Sequence, residues 1–356
     1  MKRSWLLVLT LALVVGVLAA CGSNNNAASN TSESSSTPSG EASPSAAAPD
    51  AAKKRIALVL PEKIGLNPFF VLMDQGLQKA AADFGVEVKT IESTDPASIE
   101  QNLRTAVAEK YDLIITATFQ VEDALNKIAP ENPNMPFAII DTVVAGPNIR
   151  SVVFREHEAA YLLGAAAGLA TKTGKVGNVV ADDIPLLKKY TTGFAEGAKS
   201  VRPDVEIFIN FVGSFTDSAK AKELALLQNS QGADFVAGMS AVGDLGVFDA
   251  AKEKGFFTSG QDTDNTGVDP DHVVLAQLKG TDAVVYETVK DFAEGNFSFD
   301  VRDYGLKEGG VGLTHVTHES ASPLNAFIGQ EIVDKVKAIA EDIIAGKIKV
   351  TNAMEQ

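Results

Sequence analysis

From Lys54 onward the chain alternates short apolar runs with amphipathic stretches, and that alternation restricts it to one architectural class. Apolar runs occupy residues 56–60, 86–91, 113–118, 137–141 and 152–154, then 176–181, 206–212, 235–239, 256–260 and 273–278. Runs of this length between turn residues suit strands buried on both faces of a parallel sheet. Between them, residues 70–84, 97–110, 121–129, 159–171, 186–201, 218–231 and 245–254 carry helical spacing. The first of these stretches stops at Gly85 and the last at Gly255, the residue type that helix ends favour. The expected class is α/β, with helices on both faces of doubly wound parallel sheets. Ten strands exceed what one compact open sheet holds comfortably, so two lobes joined by a hinge are expected. Crossings are placed near residues 152–158, 278–281 and 305–311. That gives one lobe of 54–155 plus about 281–308, and a second of 156–280 plus about 309–350.

The segment before Lys54 has a different character. Lys2 and Arg3 precede an apolar stretch from Trp5 to Ala20, which ends at Cys21, the single cysteine of the 356 residues. A charged start, a short apolar middle and small residues at the cut describe a secretory signal over residues 1–20. Leu18-Ala19-Ala20-Cys21 resembles the lipobox of bacterial lipoproteins, which implies cleavage before Cys21 and lipid on that residue. Two or more acyl chains make such attachment durable, since each buried methylene contributes about 0.8 kcal/mol. Residues 22–52 are mostly Ser, Asn, Ala, Pro and Glu without aromatics, too polar to offset the entropy of ordering. Residues 21–53 are therefore expected to be a lipidated cysteine followed by a disordered tether. With Cys21 modified, no disulfide and no thiolate metal site is possible. A formal net charge of −15 argues against nucleic-acid partners. The expected setting is the extracytoplasmic face of a cell membrane, with the protein anchored by lipid as a monomer.

In sheets of this kind ligands bind beyond the carboxyl ends of the strands, so the residues standing there are the candidates. The first strand is followed by Asn67-Pro68-Phe69-Phe70, and the fourth ends at Asp141. The seventh leads into Gly213-Ser214-Phe215-Thr216-Asp217, and the eighth into Ala241-Val242-Gly243-Asp244. Gly260-Gln261-Asp262-Thr263-Asp264 closes the ninth and Gln277-Leu278-Lys279 the tenth. Flat apolar faces beside carboxylates, amides and one ammonium suit a small neutral molecule bearing hydroxyls and a ring. Each candidate also has a purely structural alternative. One of Phe69 and Phe70 can serve the core face of the first helix, and Asp141 or Asp262 can be a helix N-cap.

The second half resembles the basic membrane protein family of lipoproteins, which is similar to bacterial purine nucleoside receptors of ABC importers. The resemblance runs through Phe154-Arg155-Glu156-His157-Glu158 and on to Gly164, then Thr173-Gly174-Lys175-Val176-Gly177 and Gly193-Phe194-Ala195-Glu196-Gly197. It continues through Gly213-Ser214-Phe215-Thr216-Asp217, Gly232-Ala233-Asp234, Gly260-Gln261-Asp262-Thr263-Asp264 and Leu278-Lys279. It implies a nucleoside between two aromatic rings, Phe69 and Phe215, with its ribose held by Asp262 and Lys279 and Asp141 facing it from the first lobe. A permease is the implied protein partner, and no cofactor or metal is implied. The departure lies after the first strand. The family carries Asp-Lys-Ser-Phe-Asn there, whereas this chain has Leu66-Asn67-Pro68-Phe69-Phe70 and lacks the acid that reads the base. Asn-Pro-Phe-Phe is similar to the loop of periplasmic ribose-type receptors, where the Asn holds sugar hydroxyls, so a sugar remains an alternative ligand.

Other short patterns carry less. Gly168 to Lys175 has the wrong glycine spacing for a phosphate loop and Val176 where Ser or Thr is needed. Gly238-x-Ser240 lacks the second glycine of a nucleophile elbow at the right distance. His315-x-x-His318 has no further ligands nearby to complete a metal shell. No nucleophile with a base and an orienter stands out, so binding rather than catalysis is expected. An exported nucleoside-cleaving enzyme using Asp141 or Asp262 is the rival from another class.

Overall fold

Parallel strand pairing dominates, and it repeats the same winding in each of two six-stranded sheets. The computed structural model describes residues 53–355, so the signal segment, Cys21 and the tether through residue 52 lie outside the described residues. The first sheet contains β1 (Arg55–Leu60), β2 (Glu87–Glu92), β3 (Leu113–Ala117), β4 (Phe137–Ile140), β5 (Ile149–Phe154) and β11 (Val301–Tyr304). Its spatial order is β11-β5-β4-β3-β1-β2, parallel throughout. The second contains β6 (Lys175–Val180), β7 (Glu206–Phe211), β8 (Phe235–Met239), β9 (Phe257–Asp262), β10 (Val273–Lys279) and β12 (Val311–Leu313). Its order is β12-β10-β9-β8-β6-β7, with β12 alone antiparallel. In each sheet the winding reverses beside its first strand, which leaves a crevice at the carboxyl ends of the strands.

The helices are α1 (Pro68–Phe84), α2 (Pro96–Ala108), α3 (Glu122–Glu131), α4 (Glu156–Ala170), α5 (Pro185–Val201), α6 (Ser218–Ser230), α7 (Asp244–Lys254), α8 (Thr281–Glu294) and α9 (Gly329–Ile344). Local chemistry sets the ends of α1. Asn67 Oδ1 accepts the Phe69 N–H at 3.2 Å, Pro68 opens the helix, and Gly85 closes it at φ 65°. The central strands β1, β3 and β4 are buried almost completely. The runs at 86–91 and 206–212 differ from the expectation of strands covered on both faces. They form β2 and β7 at the sheet edges, where alternate side chains meet solvent.

The chain leaves the first sheet after β5, returns to it after β10 and leaves again after β11. Charged clusters tie these crossings together. Arg155 pairs with Glu158 and with Asp303, both at 2.9 Å, and with Glu308. The buried Arg150 guanidinium pairs with Asp291 of α8 at 2.9 Å and lies 4.1 Å from the Phe297 ring centroid. Helix α4 follows the first crossing and is buried on nearly every side, as its Ala, Gly and Leu content allows.

Helices α4 and α5 approach each other backbone to backbone. A Cβ on Gly164 falls 2.0 Å from the Phe194 carbonyl oxygen, and one on Gly197 falls 1.9 Å from that of Tyr161. Neither carbonyl can step aside as a flexible side chain does, so α4 and α5 must separate to admit a methyl group. Gly164→Ala and Gly197→Ala are expected each to lower the urea midpoint, with a loss on the order of 1–3 kcal/mol or more. Gly267→Ala, where a Cβ meets nothing within 4 Å, serves as the neutral control. Equal midpoints for all three variants contradict this packing.

Candidate functional site

Backbone conformation marks the site before any side chain is considered. Among the described residues six non-glycine positions have positive φ, a region that costs L-residues on the order of 1–3 kcal/mol. Four of them, Thr118, Asp141, Ala241 and Asp262, stand within two residues of the ends of β3, β4, β8 and β9. All four line the same cavity. The strands thus end in left-handed turns that deliver side chains into the space between the two sheets.

The cavity contains ≈ 600 Å³ of empty space, part of it open to solvent. From the first sheet come Glu62, Asn67, Phe69 and Phe70, then Thr118, Phe119, Gln120 and Asp141. From the second come Leu186, Leu187 and Tyr190 of α5, Phe215 after β7, and Ala241, Gln261, Asp262 and Lys279. Phe69 and Phe70 meet edge to face at 5.3 Å between centroids, which fixes both rings. Gly243 donates its N–H to the Phe215 carbonyl at 3.2 Å and so supports the loop that carries that ring.

A buried chain of charges underlies the cavity floor. Lys279 Nζ lies 2.5 Å from Asp141 Oδ1 and 2.9 Å from Glu156 Oε1. The other Glu156 oxygen pairs with Lys189, whose ammonium also donates to the Phe154 carbonyl at 3.0 Å. Glu156 is fully buried, and Lys189, Lys279 and Asp141 nearly so. Burial opposes ionisation of Glu156, but Lys279 and Lys189 outweigh it and lower its pKa to about 2. Burial likewise opposes the Lys279 ammonium, yet Asp141, Glu156, Tyr190 and Asp262 around it push its pKa well above the usual lysine value. Burial dominates at Asp141 and Asp262 and raises each to about 6. Asp262 Oδ1 and Gln261 Oε1 are buried without hydrogen-bond partners among the described residues. Leaving such acceptors unmatched is unfavourable, so these groups are set to receive donors from a ligand.

Of the residues expected from sequence, Asn67, Phe69, Phe70, Asp141, Phe215, Asp262 and Lys279 come together around this cavity. Gly243 does not line it and acts behind the wall, because its Cα faces Ser240. Neither Asp141 nor Asp262 caps a helix, whereas Asp217 does so for α6. Glu62, Thr118, Phe119, Gln120 and Gln261 also line the cavity, and all five stand within three residues of a strand end. Lys189 carried no sequence signal and Glu156 only its place in the Phe154–Glu158 stretch of the family resemblance, because their pairing joins two helices distant in sequence. His315 and His318 lie on the loop after β12, and no cluster spaced to hold a metal occurs among the described residues.

Comparison with known proteins adds a family. Residues 53–353 match the model of the Bmp family, described as PnrA-like ABC transporter substrate-binding proteins. The ABC transporter nucleoside-binding protein BmpA of Lactococcus lactis is 32% identical over 284 residues, spanning 73% of this chain and 76% of that protein. An uncharacterized lipoprotein of Pyrococcus horikoshii is 31% identical over 296 residues, covering 76% of this chain and 72% of the other. A solved ABC transporter solute-binding protein from Aeropyrum pernix superimposes with a TM-score of 0.73 at 27% identity, covering 83% and 92% of the two chains.

The environment of Asp262 has a consequence for stability. Its carboxyl titrates at about 6 in the folded chain, against about 3.9 when unfolded. The folded state therefore holds the extra proton, and this contribution is fully present below about pH 4 and lost as pH rises through about 6. Above that range the ionised carboxylate costs on the order of 3 kcal/mol. Asp262→Asn is expected to raise the melting temperature of the ligand-free protein at pH 8, with the gain vanishing near pH 4. A pH-independent change, or a loss at pH 8, contradicts the assignment.

Proposed function

The chain belongs to the Bmp family of PnrA-like ABC transporter substrate-binding proteins, and on that premise we propose that it is a lipid-anchored receptor that binds a nucleoside and delivers it to a permease. Capture proceeds by closure of the two lobes about their crossings, which completes the ligand's contacts only in the closed state. One observation carries the reading: Phe69 and Phe215, from opposite lobes, share a cavity with the buried Asp262, Asp141 and Lys279. Two aromatic faces suit a flat base, and buried carboxylates suit the vicinal hydroxyls of a ribose. The nucleoside-binding relative from Lactococcus lactis supports the same ligand class.

Two features favour a nucleoside over a sugar alone or a nucleotide. Asn67 already uses Oδ1 to cap α1 and Nδ2 to reach Glu62, so it has little left for sugar hydroxyls. The ammonium of Lys279 is already matched by Asp141 and Glu156, while Glu62 and Asp262 add further negative charge. Such a lining repels a phosphate group and accepts a neutral, hydroxyl-bearing ligand. Lipid anchoring through Cys21 rests on the lipobox-like sequence and on lipoproteins among the relatives.

Calorimetry on the purified protein with a panel of nucleosides, their 5′-monophosphates and ribose tests this. Binding of a nucleoside without its phosphate is expected, with the nucleoside recovered intact by chromatography. Phe215→Ala is expected to cost on the order of 2–4 kcal/mol of affinity. In cells, Cys21→Ser is expected to move the protein from the membrane fraction to the soluble one. Binding of ribose alone, release of free base, or an unchanged affinity in Phe215→Ala contradicts the reading.

A further inference from the structure

Tyr190 of α5 lines the cavity, and nothing derived so far uses its hydroxyl. Leu186, Leu187 and Tyr190 share the cavity face of that helix, while Lys189 reaches Glu156. We infer that the Tyr190 hydroxyl donates a hydrogen bond to the sugar of the bound nucleoside and, together with Asp262, reads its vicinal diol, so that the site selects ribonucleosides over their 2′-deoxy and 3′-deoxy analogues. This rests on the nucleoside reading above and specifies which sugar that nucleoside carries.

Three observations support it. Tyr190 is only 2% exposed, and its hydroxyl has no hydrogen-bond partner among the described residues. Burial raises its pKa well above the usual tyrosine value; Lys279 opposes the rise, and Glu156, Asp262 and Asp141 add to it. The hydroxyl therefore keeps its proton, and the charges that bear on it are those of the cavity floor. Next, three other donors around the cavity are committed within the protein. Asn67 Nδ2 donates to Glu62, Thr118 Oγ1 to Gln120 Oε1 at 2.8 Å, and Lys279 to Asp141 and Glu156. The buried unmatched groups, Gln261 Oε1 and Asp262 Oδ1, are acceptors. Each hydroxyl of a vicinal diol carries one proton and two lone pairs, so it is satisfied by an acceptor and a donor together. Asp262 accepts and Tyr190 donates. Finally, α5 is held in place before any ligand arrives. A Cβ on Gly193 falls 2.4 Å from the His157 carbonyl oxygen of α4, and Lys189 pairs with Glu156. A hydroxyl fixed in this way loses little freedom on binding. A deoxy sugar leaves a buried donor or acceptor without its partner, and sites built around a ligand hydroxyl reject ligands that lack it.

Calorimetry on the wild-type protein and on Tyr190→Phe tests this with guanosine, adenosine and uridine, and with the 2′-deoxy and 3′-deoxy analogues of whichever binds most tightly. The wild type is expected to bind that parent nucleoside on the order of tenfold or more tighter than either analogue. Tyr190→Phe is expected to weaken the parent on the order of tenfold. It is expected to change one analogue by less than about threefold, the analogue that lacks the hydroxyl Tyr190 meets. Equal losses for the parent and both analogues mean that Tyr190 only shapes the wall, and they overturn the inference. An unchanged affinity for the parent overturns it too, and both outcomes leave the nucleoside reading intact. Should Tyr190→Phe fail to fold, the wild-type ratios decide, and either analogue bound as tightly as the parent overturns the inference. Absence of binding to all three nucleosides by folded wild type overturns the nucleoside reading, and this inference with it.

Discussion

Lys189, Glu156, Lys279 and Asp141 form a row of alternating charges with almost no access to water, and the site depends on it. The row starts on α5 in one lobe, passes the first crossing at Glu156, and ends at Asp141 on the other lobe's sheet. Isolated charges at such depth are strongly disfavoured, so each member holds its neighbour ionised and in place. Replacing one member exposes the rest to an uncompensated buried charge. Close packing of α4 against α5 through Gly164, Gly193 and Gly197 keeps Glu156 and Lys189 within reach of each other. Packing and charge are thus parts of one arrangement, with the glycines setting a spacing that the ion pairs require.

The lobes meet this charged floor with strained strand ends. Placing Thr118, Asp141, Ala241 and Asp262 in left-handed conformations is unfavourable for each, and the surrounding sheets hold them there. Asp262 adds a second cost, a buried carboxylate with an unmatched oxygen. The second cost is relieved by a ligand that donates a hydrogen bond to that oxygen. A receptor that closes on its ligand needs this difference, because only differential affinity shifts an equilibrium between open and closed forms.

Much of the fold was legible in sequence because burial leaves a simple trace. Strands covered on both faces are continuous apolar runs, and β1, β3, β4 and β8 were readable for that reason. The second half of the chain was less legible past Lys279. Strand β11 reads Val-Arg-Asp-Tyr and lies at a sheet edge, so half of it faces water and no apolar run marks it. Strand β12 is three residues long, too short for a pattern. The cavity residues were legible where they follow a strand directly, as Phe69, Asp141 and Asp262 do. Gly243 was drawn in by the same rule although its role is to hold the Phe215 loop from behind. The Glu156–Lys189 pair was invisible, since an ion pair between two helices leaves no periodicity, although Glu156 itself lies in the Phe154–Glu158 stretch of the family resemblance.

The most direct measurement is mass spectrometry of the small molecules released when the freshly purified protein is denatured. An acceptor-rich cavity with aromatic faces from both lobes predicts a purine nucleoside without phosphate, at close to one equivalent. A free pentose or hexose, or a nucleotide, in that fraction contradicts it.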